Sequence, residues 1–159
     1  MIFVTVGTDG PFDRLIRIID DWAREHNRTD VFAQIGENGW EPQFIAYKHF
    51  LEPPEFKARF DEAAYVVAHA GMGTILSALN VGKPILVMPR RVDLGEQRNE
   101  HQWHTATRLS EQGKIHAAFD EAELRAKLDS LETLGVREKI GPSATGPIIQ
   151  TIRDFIANS

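Results

Sequence analysis

Residues 65–105 read as strand, glycine turn, helix and strand in immediate succession, and few architectures accept that order. Tyr65-Val66-Val67-Ala68 is a short apolar run that suits a buried strand. His69-Ala70-Gly71-Met72-Gly73-Thr74 turns the chain, and residues 75–81 have helical composition. Residues 84–89 form a second apolar strand. A polar loop rich in Arg, Asp, Glu and Gln then leads to a long helix from about Asn99. Two strands joined by a helix are parallel, so this βαβ unit commits the chain to a parallel sheet with helices on its faces. Its first turn has the build of a phosphate cradle. Glycines let the backbone approach a ligand, and Thr74 opens a helix whose free N–H groups and dipole favour an anion.

The remaining segments extend the same plan. Residues 2–6 are an unbroken apolar and β-branched run, the mark of a central parallel strand. Gly7-Thr8-Asp9-Gly10-Pro11 turns into a first helix with Leu15, Ile16, Ile18, Ile19 and Trp22 on one side. Residues 30–35 form a second strand and residues 44–47 a short third, with Gly36-Glu37-Asn38-Gly39-Trp40 as a loop between them. Trp40 either caps a base or sugar or packs its own loop. Pro53-Pro54 precedes a short helix over 55–63. Gly113 ends the long helix, 114–118 is a last strand, and Asp120 caps a helix carrying Leu124, Leu128 and Leu131. Residues 135–146 read as a loop. A final helix over about 147–157 sets Ile148, Ile152, Phe155 and Ile156 on one side, either packed on its own domain or presented to a partner. The expected fold is one Rossmann-like α/β domain over residues 1–159 with a mainly parallel sheet and ligand loops at the carboxyl ends of its strands.

Composition narrows the chemistry. At 159 residues there is room for one core. A net charge of −5 argues against general nucleic-acid binding, so an anion site must be local. The chain has no cysteine, which removes disulfides and thiolate catalysis and fits a reducing compartment. No apolar run approaches the ~20 residues of a membrane span, and residues 1–6 read as a strand and not as a signal peptide. There is no G-x-x-x-x-G-K-[ST], and Gly71-Met72-Gly73 lacks the third glycine of G-x-G-x-x-G because position 76 is Leu76. His101 and His104 share a helix face without a carboxylate partner, so no metal site is expected. There is no G-x-S-x-G elbow. Arg90-Arg91 opens a loop where the pair can meet a pyrophosphate or a uronate carboxylate, or stand solvated.

What remains is a site for a sugar diphosphate. The diphosphate takes the Gly7-Thr8 loop and the helix start at Gly71-Met72-Gly73-Thr74. The sugar hydroxyls take polar side chains between Glu96 and Gln102, His101 and Gln102 above all. A helix N-terminus aimed at the diphosphate stabilises charge that grows as the sugar leaves, and no D-x-D motif is present to hold a metal.

Val4-Thr5-Val6-Gly7-Thr8, Phe12-Asp13-Arg14-Leu15-Ile16, His69-Ala70-Gly71-Met72-Gly73-Thr74-Ile75-Leu76, Gly82-Lys83-Pro84 and Asn99-Glu100-His101-Gln102 together resemble family 28 glycosyltransferases. The likeness is greatest to short, split members equivalent to the C-terminal, donor-binding half of a GT-B enzyme. These are soluble subunits of dolichol-linked GlcNAc transferases and of bacterial exopolysaccharide transferases.

The resemblance implies diphosphate contacts at Met72, Gly73 and Thr74, with Gly7-Thr8 as the first glycine loop. It implies sugar contacts at His101 and Gln102. Ser77 falls where full-length members of the MurG type carry an acidic residue for the ribose, so that contact is altered here. His69 matches the histidine of the split members' His-Ala-Gly segment, either assisting the leaving phosphate, orienting the glycine turn, or serving as a satisfied structural histidine. The resemblance further implies an inverting UDP-sugar transferase without a cofactor, acting on a polyprenyl-linked sugar. A membrane-anchored partner subunit would supply the acceptor site and recruit this chain to the cytoplasmic face of the membrane. Two other readings stay open: a non-catalytic nucleotide-sugar-binding module, and an unrelated flavodoxin-like or Rossmann-like enzyme. The sequence does not choose among GlcA, Gal, Glc and GlcNAc as the donor sugar.

Overall fold

The computed structural model of the chain describes residues 1–134. The loop expected at 135–146 and the helix expected at about 147–157 lie outside them. Six strands, β1 (Ile2–Thr5), β2 (Val31–Gln34), β3 (Ala46–Lys48), β4 (Tyr65–His69), β5 (Ile85–Met88) and β6 (His116–Ala117), form one sheet in the order β3-β2-β1-β4-β5-β6. Every pairing is parallel: Val4 lies opposite Ala33 on one side and Val67 on the other. The helices are α1 (Asp13–Glu25), α2 (Pro53–Glu62), α3 (Met72–Val81), α4 (His101–Glu111), α5 (Glu121–Asp129) and α6 (Leu131–Leu134). The expected single α/β domain with a parallel sheet is what forms.

Alternation along the strands splits the core in two. Ile2, Val4 and Val6 join α1, Leu124 and Leu128 on one face. Phe3, Val66 and Ala68 join Phe60 of α2, Ile75 and Leu79 of α3 and Leu109 of α4 on the other. β1, β2 and β5 are buried at every position, which explains their largely apolar sequences; the polar exceptions, Thr5 and Gln34, bond each other.

The chain leaves β1 for β2 on one side and returns to β4 on the other. The direction of winding therefore reverses between β1 and β4, and the loops leaving those two strands open a crevice at the carboxyl edge of the sheet. Gly7 and Gly71 both lie there.

Several boundaries differ from the sequence expectations, and capping or side-chain hydrogen bonds set the first of them. β3 begins at Ala46 and not at Phe44, because the carboxylate of Asp20 accepts the backbone N–H groups of Gln43, Phe44 and Ile45 at 2.9–3.1 Å. Those amides are satisfied by a buried side chain and not by a strand neighbour. α4 begins at His101 because the side chain of Asn99 accepts its N–H at 3.0 Å. α2 takes in both prolines at its first two positions, where no N–H is needed. α3 starts at Met72, three residues early, so Gly73 and Thr74 are inside its first turn. The last strand shrinks to His116–Ala117. Asp120 does cap α5: its carboxylate accepts the Glu123 N–H at 2.8 Å, and Glu123 reaches back to the Phe119 N–H.

Candidate functional site

The crevice holds a cavity of about 430 Å³ lined by Gly7, Thr8, Asp9, Phe56, His69, Gly71, Met72, Gly73, Thr74 and Ser77. A second cavity of about 500 Å³ shares Asp9, Gly71 and Met72 and adds Ala70, Gln97, Arg98, Asn99, His101, Gln102 and Thr105. Residues expected from sequence to face a diphosphate thus line one hollow. His101 and Gln102, expected to face a sugar, belong to the adjoining one.

The start of α3 lines the first cavity. Gly71 is its capping residue and has no side chain to occupy the first-turn amides; the first turn contains no acidic residue. The first intrahelical bond runs from the Ile75 N–H to the Gly71 carbonyl. The amides of Met72, Gly73 and Thr74 precede it, at the positive end of the helix dipole. A Cβ built on Gly73 meets nothing within 4 Å, so its Cα borders open space. Ser77 donates its hydroxyl to the Gly73 carbonyl at 3.0 Å, leaving the oxygen free to accept.

The loop after β1 is tied from two directions. Gly7 takes φ +74°, a conformation costly for any side chain. Gln34 accepts from the Thr5 hydroxyl at 2.6 Å and donates to the Gly7 carbonyl at 3.2 Å. From the loop just after β5, Arg90 donates to the carbonyls of Val6 (2.8 Å), Gly10 (2.8 Å) and Pro11 (2.9 Å). Its guanidinium stands 5.0 Å from the centre of the Phe12 ring, and Nε is buried without a hydrogen-bond partner. Arg90 is 2% exposed, so the expectation that it meets a phosphate or uronate gives way to a different role. Its donors are turned inward and fasten the loop that carries Gly7 and Thr8.

The other polar candidates are similarly redistributed. Glu96 is held bidentately by Arg14 at 2.9 Å and accepts the Arg91 N–H at 3.0 Å, so it clasps the loop between β5 and α4. The Arg91 guanidinium pairs with Asp93. Gln102 is 6% exposed and its amide serves internal partners. His101 remains exposed at the rim. Arg98 falls within the Glu96–Gln102 range expected to face the sugar without being singled out there, and its position beside His101 in the second cavity follows from where α4 begins; Phe56, which reaches the first cavity from α2, is not signalled by the sequence. Asp9 borders both cavities; it was visible in the sequence only as part of a turn.

His69 sits between the two glycine loops. A Cβ added to Gly7 would lie 2.7 Å from its Cε1, and one added to Gly71 would lie 2.5 Å from the same atom. The ring is 5% exposed. Burial, and secondarily the Arg90 guanidinium, lowers its pKa to about 3, so the imidazole is neutral near pH 7. An unfolded histidine takes a proton near 6.5. Between those values the unfolded state binds the extra proton, so this group makes stability rise with pH. The contribution is lost as pH falls from about 6.5 toward 3, at up to ~1.4 kcal/mol per unit. Denaturant unfolding between about pH 7 and pH 5 should show wild type losing more stability than His69→Asn by roughly that slope. Equal slopes would mean that the folded imidazole protonates normally.

A larger hollow of about 820 Å³ opens on the loop between β2 and β3, lined by Glu37, Asn38, Gly39, Trp40, Glu41 and His49. Its two carboxylates suit an anionic ligand poorly, and His49 is already paired with Glu41 at 2.9 Å. Trp40 lies under the Arg17 guanidinium at 5.0 Å and donates its backbone N–H to Asp13, so it packs its own loop.

Residues 1–138 match the model of the glycosyltransferase family 28 C-terminal domain. Among solved structures, the chain is similar to ALG13, determined by NMR, with 20% identity, a TM-score of 0.62 and coverage of 95% of this chain and 93% of that one. It is similar to the glycotransferase of kitacinnamycin, with 17% identity, a TM-score of 0.59 and coverage of 98% of this chain. It is also similar to the spinosyn forosaminyltransferase SpnP, with 18% identity, a TM-score of 0.52 and coverage of 82%. The chain spans 39% and 34% of the length of those last two proteins. At these identities the likeness is one of fold.

Proposed function

Because the chain belongs to the glycosyltransferase family 28 C-terminal domain family, we propose that it is the donor-binding part of a UDP-sugar-dependent, inverting GT-B transferase. The observation that carries this reading is the crevice between β1 and β4. Free amides of α3, the Gly7-Thr8 loop and a neutral His69 converge there on one cavity. The diphosphate lies against the amides of Met72, Gly73 and Thr74 and the Thr74 hydroxyl. Ser77 accepts from a ribose hydroxyl, and the sugar extends toward His101 and Arg98. As the bond from the anomeric carbon to the diphosphate breaks, negative charge builds on the leaving oxygen. The helix N-terminus meets that charge with dipoles already in position, which stabilises the transition state more than the bound donor. No cofactor or metal enters this scheme.

The acceptor in this proposal is a polyprenyl-linked sugar of an exopolysaccharide or cell-surface glycan, presented by a membrane-anchored partner subunit on the cytoplasmic face. The match runs nearly end to end with ALG13 but covers well under half of the larger transferases. Among the described residues no helix is long and apolar enough to cross a membrane.

Thermal unfolding with UDP and with UDP-GlcA, UDP-Gal, UDP-Glc and UDP-GlcNAc tests the donor site. Saturating UDP should raise the midpoint by about 5 °C or more; no shift with any uridine nucleotide would remove the reading. Thr74→Val keeps the side-chain shape and loses the hydroxyl. It should weaken UDP about five- to tenfold, equivalent to ~1–1.4 kcal/mol, with the unfolding midpoint of the free protein unchanged. Unaltered affinity would count against the cradle. Donor binding without transfer, in the presence of the cognate partner, would point to a non-catalytic module.

A further inference from the structure

The buried amide of Gln102 has only one orientation that satisfies both of its neighbours. Its Oε1 lies 3.1 Å from the backbone nitrogen of Arg90, which can only donate. Oε1 must therefore face Arg90, and the amide nitrogen faces the other way, 3.0 Å from His69 Nδ1. An amide N–H donates, so Nδ1 must be the unprotonated, accepting nitrogen. The single proton of the neutral ring is then on Nε2. Nε2 belongs to the edge of the ring that lies between Gly7 and Gly71, where an added Cβ on either would collide with it. Two glycines and a fixed tautomer together present an N–H donor to the cavity beside the free amides of α3.

We propose that Gln102 is a positioning residue: through the Arg90 N–H, Gln102 and His69 Nδ1, it holds His69 as a neutral Nε2–H donor to the donor diphosphate. This departs from the sequence expectation that Gln102 grips the sugar. The inference rests on the donor-site reading for the identity of the ligand, but the hydrogen-bond chain stands without it. An imidazole held in this way contributes a directed hydrogen bond without transferring a proton. Its neutrality also makes the contact independent of pH over the range in which a free histidine would titrate.

Long-range proton–nitrogen NMR correlation on protein labelled with 15N-histidine tests the chain directly, with His69 assigned from the signals lost in His69→Gln. At about pH 7 wild-type His69 should show a bare Nδ1 and a protonated Nε2. A proton on Nδ1, or on both nitrogens, would overturn the proposal. Gln102→Glu keeps the acceptor for Arg90 but replaces the donor with a second acceptor, so the His69 proton should appear on Nδ1; an unchanged pattern would also overturn it. Gln102→Met should weaken UDP about tenfold and leave uridine affinity unchanged, because only the diphosphate contact is affected. Equal losses for both ligands would assign Gln102 a merely structural part, and no loss would exclude a role toward the diphosphate. If wild type binds no uridine nucleotide, the donor reading falls while the two spectra still decide the positioning chain.

Discussion

Gly71→Ala should abolish measurable UDP binding, with an affinity loss of at least ~100-fold, and destabilise the fold by ~1–3 kcal/mol. Position 71 has φ −85°, where alanine meets no backbone strain, so the effect isolates the added methyl group. That methyl would stand 2.5 Å from His69 Cε1. The ring cannot swing away freely. Gln102 holds Nδ1, and the backbone of Gly7 lies close on the same edge. Removing the ring as well, in Gly71→Ala/His69→Ala, should restore much of the stability but not the binding. That non-additivity would locate the clash in the pair. Gly73→Ala is the contrasting case. Its added Cβ meets nothing within 4 Å, and alanine is favoured over glycine inside a helix by ~0.5–1 kcal/mol. Stability should rise while UDP binding falls, because the methyl occupies space that the diphosphate needs. Isothermal titration and denaturant unfolding of wild type, these three variants and His69→Ala check both quantities. Wild-type affinity in Gly71→Ala would refute the arrangement of His69 between the glycines as a requirement of the site.

The second large effect is expected at Arg90. Arg90→Met keeps a long apolar stem and removes the guanidinium that serves the carbonyls of Val6, Gly10 and Pro11. Buried carbonyls left without donors each carry a desolvation cost, and the loss should total ~3–5 kcal/mol in denaturant unfolding. Arg90→Lys should recover little of it. A single ammonium nitrogen cannot occupy both of the guanidinium positions from which Arg90 reaches Pro11 on one side and Val6 and Gly10 on the other. Donor binding should weaken in both variants, since the same loop carries Gly7 and Thr8. A stability loss under ~1 kcal/mol in Arg90→Met would mean that water replaces the guanidinium at little cost.

These two residues illustrate how differently the site was written in the sequence. The glycine turn after β4 was legible because it is local. An apolar run, two glycines and a helix start within ten residues encode a backbone shape and the orientation of its amides. The residues of the Arg90-Arg91 pair look alike in the sequence, yet one is turned into the protein and the other pairs with Asp93 at the surface. The difference arises because β5 lies next to β4, whose other neighbour β1 carries the loop that Arg90 reaches. Gln102 gives the same lesson. A polar residue beside His101 reads as a sugar ligand until α4 is placed, and then its amide is found bonded, among the described residues, to the Arg90 N–H and the His69 ring.

The sequence by itself determined the parallel α/β class, the glycine turn leading into α3 and membership in a glycosyltransferase family. These follow from patterns of about ten to forty residues, the range over which hydrophobic periodicity, glycine placement and capping fix backbone geometry. Only the tertiary structure decided which polar side chains face the crevice and which hold it in shape. Gly7 and His69 are distant along the chain, and so are Arg90 and Val6, and whether they touch depends on strand order and register. An inward guanidinium or amide is tolerated only where its partners are already waiting. No local pattern near Arg90 or Gln102 encodes carbonyls and an imidazole supplied by other strands.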